Sequence, residues 1–157
     1  MDSKLTASDN GRPPRRRSQA AASQWAVRLA YLLVFAVNVQ CALSFAADPQ
    51  SFVGAYQLQG AGSAGLAAVQ GIGVAFLMWN CTYPAVIASP KRFFSLAVVV
   101  LVQQAVGLVG ETVILLQLPA GYDVLTASVV RFIQFDAFGL VLMGTAFAWM
   151  AATNRRH

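Results

Sequence analysis

Long runs of apolar residues, separated by short polar or proline-containing segments, dominate the pattern of this chain. No Asp, Glu, Lys, Arg or His occurs from Pro49 to Pro90 or from Phe93 to Gly110. A helix needs about 20 apolar residues to cross the hydrocarbon core of a bilayer, and an isolated span satisfies its own backbone in lipid only as a helix. The pattern therefore predicts an all-α integral membrane four-helix bundle, with spans at about 25–47, 62–83, 93–118 and 124–152.

Prolines mark the predicted ends of the first three spans, at Pro49, Pro84 and Pro119. A proline disfavours helical geometry in the residue before it, so each span is expected to stop there. Residues 1–24 contain too few large apolar groups to build a core, which predicts a disordered basic arm. Residues 153–157 are expected to form a short tail.

Composition and charge sharpen this prediction. The chain is 57% hydrophobic and 11% charged, whereas about a quarter of the residues in an ordinary soluble domain are charged. That composition excludes most soluble classes, and the four spans leave little of the 157 residues for a catalytic domain outside the membrane.

The basic residues predict the orientation. Ten of the eleven Lys and Arg lie in residues 1–28, at 91–92 or at 155–156, whereas the other two connections carry only Asp48 and Asp123. Positive residues stay on the cytoplasmic side, so both termini are expected in the cytoplasm of a plasma (inner) membrane protein. The basic arm is expected to attract anionic lipid and not nucleic acid, because it lacks interleaved aromatic residues. As an alternative, the first apolar run resembles a signal peptide that ends near Ser44 and Ala46.

Three charged residues lie inside the predicted spans: Glu111, Arg131 and Asp136. An uncompensated charge at that depth costs about 2.5–3.5 kcal/mol, so each needs a partner. Glu111 lies eight residues before Pro119 and Arg131 eight after Asp123, which places both about 12 Å from the ends of their helices. The same count predicts one polar layer, composed of Asn38, Gln40, Gln70, Glu111 and Arg131.

Two interpretations of this layer remain open. Glu111 and Arg131 form an ion pair that locks the bundle, or the layer lines a hydrated cavity or a pocket for the polar head of a lipid, quinone or small solute. Asp136 lies deeper, level with Gln103 and Gln104, and no cation is within its expected reach. A neutral Asp136 bonded to one of these amides is one prediction, and protonation-linked transport is the other.

The residue types exclude several chemistries. The segment GAGSAG at 60–65 matches a dinucleotide fingerprint, but no strand precedes it and no acidic residue follows at the required distance. Close helix packing through Gly65, Ala68 and neighbouring small residues is the better interpretation. Cys41 and Cys81 are predicted at opposite depths, which forbids a disulfide. The single histidine, His157, is terminal, so we expect no metal site and no catalytic residue.

The segments GAGSAGLAAVQGIG at 60–73 and PKR at 90–92 resemble the small four-helix bacterial membrane proteins of the DoxX type. This resemblance implies a similar architecture, and some members resemble accessory subunits of quinone-linked oxidoreductases. We therefore expect a non-enzymatic accessory or assembly subunit that holds a lipid or quinone, with a membrane protein or a second copy as partner. The alternative is a small oligomeric transporter or channel, with the polar layer at Glu111 and Arg131 and a protonatable Asp136.

Overall fold

The architecture consists of helices and short connections. A computed structural model describes the backbone of residues 14–155 and the side chains of residues 18–155, and this part of the chain contains no strand. Its helices are α1 (Pro14–Ala47), α2 (Gly62–Asn80), α3 (Tyr83–Ala88), α4 (Phe94–Gln117) and α5 (Asp123–Arg155).

Four helical segments are long and apolar enough to cross a membrane: Ser18–Ala47, Gln59–Ala88, Phe94–Gln117 and Asp123–Arg155. The predicted all-helical class with four such segments is therefore confirmed. Membrane insertion and the cytoplasmic position of the termini stay predictions.

Helix α1 begins at Pro14, so the backbone of residues 14–24 is helical where the sequence predicted a disordered arm. Proline fits the first turn of a helix because its missing N–H would have no helical partner there. The Arg, Gln and Ala residues that follow are good helix formers. Residues 1–13, which include Lys4 and Arg12, lie outside the described residues.

The second predicted span is interrupted. Helix α2 ends at Asn80, and Pro84 lies in the first turn of the separate helix α3. The Cys81 N–H donates to the Met78 carbonyl, which closes α2 with a tighter turn than an α-helix has. Because Pro84 has no N–H, the α2 pattern of hydrogen bonds cannot continue through it.

Helices α1 and α5 hold the bundle together. Helix α1 packs against α2, α3 and α5, and α4 packs against α3 and α5, whereas α2 and α4 make no extensive contact. At the end that contains α3, which we call the terminal end, the Tyr31 hydroxyl donates to the Ala97 carbonyl at 3.0 Å and Arg28 donates to the Ala88 carbonyl at 2.9 Å. A space lined by all four long helices is therefore left between α2 and α4.

Close packing of α1 and α2 depends on Gly73. A Cβ at this position would lie 2.7 Å from both the Ala42 carbonyl oxygen and the Ala46 nitrogen of α1. The expected close packing through small residues of α2 is therefore present at Gly73, whereas Gly65 and Ala68 do not contribute to it. Gly65 faces Leu58 of the preceding connection, and Ala68 is exposed.

The opposite end of the bundle, which we call the loop-side end, is covered by the connection between α1 and α2. Gln57 of this connection has a φ of 52°, and its side chain reaches helix α5. The Leu125 N–H donates to Gln57 Oε1 at 3.0 Å, and Gln57 Nε2 donates to the Gly121 carbonyl at 3.3 Å. One side chain thus satisfies a free N–H in the first turn of α5 and fixes the connection across the bundle.

Candidate functional site

Two adjoining cavities lie between the long helices. The carboxyl cavity, of about 70 Å³, is lined by polar residues and by aromatic rings: Asn38, Phe76, Trp79, Asn80, Gln104, Gly107, Glu111, Phe132, Phe135 and Asp136. The loop-side cavity, of about 480 Å³, has mainly apolar walls: Val37, Asn38, Cys41, Phe45, Ser51, Phe52, Ala55, Tyr56, Phe76, Ser128, Arg131, Phe132 and Phe135. Four residues line both cavities: Asn38, Phe76, Phe132 and Phe135.

Asp136 is held by a chain of hydrogen bonds that links three helices. Gln104 Nε2 of α4 donates to Asp136 Oδ1 of α5 at 2.7 Å, and the Tyr83 hydroxyl of α3 lies 3.3 Å from Gln104 Oε1, to which it donates. Gln104 is only 3% exposed. The amide partner that the sequence predicted for Asp136 is therefore Gln104, whereas Gln103 Oε1 accepts a hydrogen bond from Thr82.

The second carboxyl oxygen of Asp136 lies against Gly107. A Cβ at Gly107 would be 2.5 Å from Asp136 Oδ2, so a side chain at this position would require the carboxyl group to shift. Gln104, Gly107 and Glu111 all line the carboxyl cavity. Their spacing of three and four residues places them on one face of α4, and this face is turned toward Asp136.

Two oxygen atoms at the carboxyl cavity have no partner. Glu111 Oε2 and Asn80 Oδ1 are both buried and accept no hydrogen bond within the described part of the chain. The orientation of Asn80 is determined by its nitrogen, because Nδ2 donates to the Phe76 carbonyl at 2.7 Å and the reversed amide would place two oxygens together. The cavity therefore collects acceptor atoms in excess of donors.

Aromatic rings form the wall between the two cavities and part of the loop-side cavity. Phe45, Phe76 and Phe132 contact one another, with ring centroids 6.2–6.4 Å apart, and Phe52 packs edge-on against Phe45 at 4.6 Å. Such rings supply a large apolar surface with a defined shape. The loop-side cavity thus suits an apolar or ring-containing group.

The positive charge at the loop-side cavity is that of Arg131. Its side chain is exposed and donates to Ser128 Oγ at 3.1 Å. Ser128, which is 3% exposed, also lies 3.0 Å from the Ala55 carbonyl of the covering connection. Arg131 is therefore positioned through Ser128, and no acidic side chain neutralises it among residues 18–155.

Tyr56 adds a further hydroxyl group from the covering connection. Burial raises the pKa of the Tyr56 phenol well above its usual value, and the nearby Cys41 and Glu111 act in the same direction. The hydroxyl therefore keeps its proton at physiological pH. It is available as a hydrogen-bond donor at the loop-side cavity.

The predicted ion pair between Glu111 and Arg131 is absent from the described side chains. The two residues lie at similar depths, but Glu111 lines the carboxyl cavity, whereas Arg131 lines the loop-side cavity. Depth along the helix axis was predicted from the spacing, but the rotation of each helix was not. The rotation of α5 brings Asp136, and not Arg131, to the face that carries Glu111.

The predicted polar layer is thus divided. Asn38 lines both cavities. Gln40 and Gln70 are exposed and line neither cavity, and Gln70 Nε2 lies 3.4 Å from the Ala46 carbonyl, to which it donates.

Asn80 and the aromatic walls were not predicted from the sequence. Asn80 lies near a predicted helix end, where a polar residue is common. Its position in the sequence therefore gives no reason to expect it at a cavity. Phe76 and Phe132 look like any other apolar residue of a span. They line a cavity only because the Phe76 ring of α2 and the Phe132 ring of α5 contact each other in the tertiary structure.

No group of three or more His, Cys, Asp or Glu side chains suited to a metal is found within the described ranges. Cys41 and Cys81 are both free, in agreement with the predicted lack of a disulfide. Comparisons of this chain with protein-family models, with curated proteins and with solved structures give no match. The resemblance to DoxX-type proteins therefore stays an expectation.

Proposed function

We propose that this protein is a non-enzymatic integral membrane protein that holds the polar head of an amphipathic molecule, of the lipid or quinone class, in the loop-side cavity. The observation that carries this proposal is one arginine without an acidic partner among residues 18–155, in a mainly apolar cavity of about 480 Å³. Cavities that bind drug-sized molecules measure about 300–1,000 Å³ and combine apolar walls with a few polar groups.

Arg131 determines what the ligand head must contain. In a membrane, an arginine about 12 Å from the helix end carries a cost unless an anion or a good acceptor accompanies it. A phosphate or carboxylate head would supply the missing negative charge. A quinone would supply carbonyl acceptors for Arg131 and for the Tyr56 hydroxyl.

The experiment is purification in a mild detergent, followed by extraction and mass spectrometry of the bound small molecules. Wild-type protein is compared with Arg131→Gln and with Arg92→Gln, which removes an exposed arginine far from the cavity. An anionic ligand should be depleted about tenfold or more in Arg131→Gln, because a hydrogen bond to a charged group contributes about 1.5–3 kcal/mol. A quinone should be depleted less, since glutamine keeps an N–H donor.

Arg92→Gln should retain the ligand. The same bulk lipid profile in all three proteins, with no molecule enriched over a membrane protein of unrelated sequence, would contradict the proposal.

We further propose that the protein acts as an accessory or assembly subunit of a membrane complex. A protein that only holds a ligand requires a partner that uses it, and the apolar side chains exposed on α4, such as Val106, Val109 and Leu116, offer a contact surface within a membrane. Gentle affinity purification from native membranes should recover one enzyme subunit in a constant ratio to this chain. Recovery of a homo-oligomer alone would contradict the accessory role.

A small ion-coupled transporter or channel is the second candidate. It is favoured by the position of Glu111 and Asp136, two carboxyl groups at one cavity without a basic neighbour in the described part of the chain. Reconstituted vesicles should then show proton or metal-ion flux that Asp136→Asn abolishes. Vesicles as tight as protein-free ones would exclude this candidate.

A further inference from the structure

The carboxyl cavity contains a set of oxygen atoms that lacks a positive partner. We propose that it binds one small hard cation through oxygen atoms of Glu111, Asp136 and Asn80. This inference does not depend on the ligand of the loop-side cavity.

The first reason is the unpartnered amide oxygen of Asn80. This side chain is 3% exposed, its nitrogen is held by the Phe76 carbonyl, and its Oδ1 has no hydrogen-bond partner. Buried polar atoms are nearly always satisfied, so an exception at a cavity wall indicates a missing group. Since the unsatisfied atom is an acceptor, the missing group is a donor or a cation.

The second reason is the arrangement of the two carboxyl groups. Among residues 18–155, Glu111 Oε2 is also buried without a partner, and Asp136 accepts a side-chain hydrogen bond only at Oδ1, from Gln104. The side chains that line this cavity include no Lys, Arg or His. Two carboxyl groups at one cavity either keep their protons or need a positive partner when ionised. The described residues supply no such partner at this cavity.

The third reason is the chemistry and size of the site. Carboxylate and amide oxygens are hard ligands that favour Na⁺, Mg²⁺ or Ca²⁺ over soft metals. A volume of about 70 Å³ accommodates such an ion with one or two waters, which complete its coordination. Two carboxylates would neutralise a divalent ion, whereas a monovalent ion would leave one carboxyl protonated.

Trp79 lines the same cavity and provides a local probe. The chain has three tryptophans, so the double variant Trp25→Phe and Trp149→Phe leaves Trp79 as the only source of tryptophan emission. The purified full-length protein, stripped with a chelator, is titrated at constant pH with NaCl, MgCl₂ or CaCl₂. Choline chloride at equal ionic strength is the control.

We expect a saturable change of Trp79 emission with at least one metal ion and none with choline. Comparison of the three salts then distinguishes a monovalent from a divalent ligand. Glu111→Gln, Asp136→Asn and Asn80→Ala should each weaken the apparent affinity by about tenfold or more, since even outer partners of a bound metal contribute about 10–100-fold.

The matched control is Asp123→Asn, which removes an exposed carboxylate at the start of α5 and should leave the affinity unchanged. Arg92→Gln, which removes an exposed arginine far from both cavities, should also leave it unchanged. If Asp136→Asn does not fold, Glu111→Gln carries the test, because Glu111 Oε2 makes no hydrogen bond that the substitution would remove.

Two results would overturn the proposal. The first is an identical response to all salts, or an equal response in wild-type protein and Glu111→Gln. The second is an emission change that follows pH alone and is insensitive to every metal ion. That result would mean that the carboxyl groups of the cavity bind protons and not a metal ion.

Discussion

At the scale of single residues, Asp136 shows how a polar group is accommodated in an apolar bundle. Its Oδ1 accepts a hydrogen bond from Gln104, and Gln104 is in turn bonded by Tyr83, so every member of this chain has at least one partner. A satisfied buried hydrogen bond contributes about 1 kcal/mol, whereas an orphaned buried group costs about 1–3 kcal/mol. The amide, and not a distant arginine, therefore determines how Asp136 is tolerated.

Asparagine should replace Asp136 with little loss of stability. Asp136→Asn keeps an acceptor for Gln104 and should lower the free energy of unfolding by less than about 1 kcal/mol, whereas Asp136→Leu orphans the Gln104 amide and should cost about 1–3 kcal/mol. The measurement is chemical unfolding followed by circular dichroism, in detergent with a chelator present. Equal losses for Asn and Leu would mean that the negative charge itself holds α4 against α5.

Gly107 should tolerate a side chain only if Asp136 shifts. Gly107→Ala would place a methyl group 2.5 Å from Asp136 Oδ2, and a shift of this carboxyl group would weaken its hydrogen bond to Gln104, so we expect a loss of about 1 kcal/mol. Gly110→Ala is the matched control on the same helix, because nothing lies within 4 Å of its Cβ position. The control should be neutral or stabilise the helix by about 0.5–1 kcal/mol, and the two variants are compared by thermal unfolding in the same detergent.

At the scale of elements, the distance between α1 and α2 depends on one glycine. Gly73→Ala would bring a methyl group to 2.7 Å from two backbone atoms of α1, which cannot rotate away as a side chain can. We expect a loss of about 1–3 kcal/mol in unfolding free energy. Gly71→Ala, whose Cβ would lie in open space, should show no loss, and a loss of the same size there would refute the close-packing explanation.

The connection between α1 and α2 is held to α5 by Gln57, and its removal should loosen the loop-side end. Gln57→Ala loses both side-chain bonds and should cost about 0.5–2 kcal/mol, the range for lost helix caps. Gln57→Gly loses the same bonds but relieves the positive φ, so it should be more stable than the alanine variant by about 1 kcal/mol.

Amide hydrogen exchange offers the local measurement for Gln57. The Leu125 N–H should exchange faster in both variants, because its acceptor is Gln57 Oε1. Unchanged exchange at Leu125 would show that another group satisfies this N–H.

At the scale of the whole molecule, the charge distribution predicts the terminal end in the cytoplasm. In a protein without native cysteines (Cys41→Ser, Cys81→Ser), Lys91→Cys and Gln50→Cys place one thiol on an exposed residue at each end of the bundle. A membrane-impermeant maleimide should label Gln50→Cys in intact cells and Lys91→Cys only after the membrane is opened. The reverse labelling would invert the topology.

Both cavities result from which helices pack against each other. Because α1 and α5 lie in the middle and α2 and α4 do not pack closely, residues from all four long helices face a common space. A closed ring of four helices would have filled that space with side chains. The separation of Arg131 from Glu111 follows from the same arrangement.

The apolar pattern by itself predicted the number and class of the long helices. Span length and the effects of Pro49, Pro84 and Pro119 are local properties. The last residues of α1 and α4 and the first residue of α5, namely Ala47, Gln117 and Asp123, lie within one residue of the predicted bounds at 47, 118 and 124. Spacing along a helix likewise explains why Gln104, Gly107 and Glu111 share a face of α4. The start of α1 and the break after Asn80 were missed. Helix propensity extends α1 toward the N-terminus, and a turn at Cys81 and Thr82, before Pro84, ends α2.

Only the tertiary structure decided which of these faces meet. Counting residues from a helix end gives depth, which is one coordinate, but each residue also turns by 100° about the axis. Asp136 and Arg131, five residues apart, therefore face different surroundings, and the packing of α5 against α4 determines which one joins Glu111. The rotation of each helix about its axis, together with which helices pack side by side, determines the partners of the charged residues and the two cavities. The pattern along a single helix contains neither piece of information.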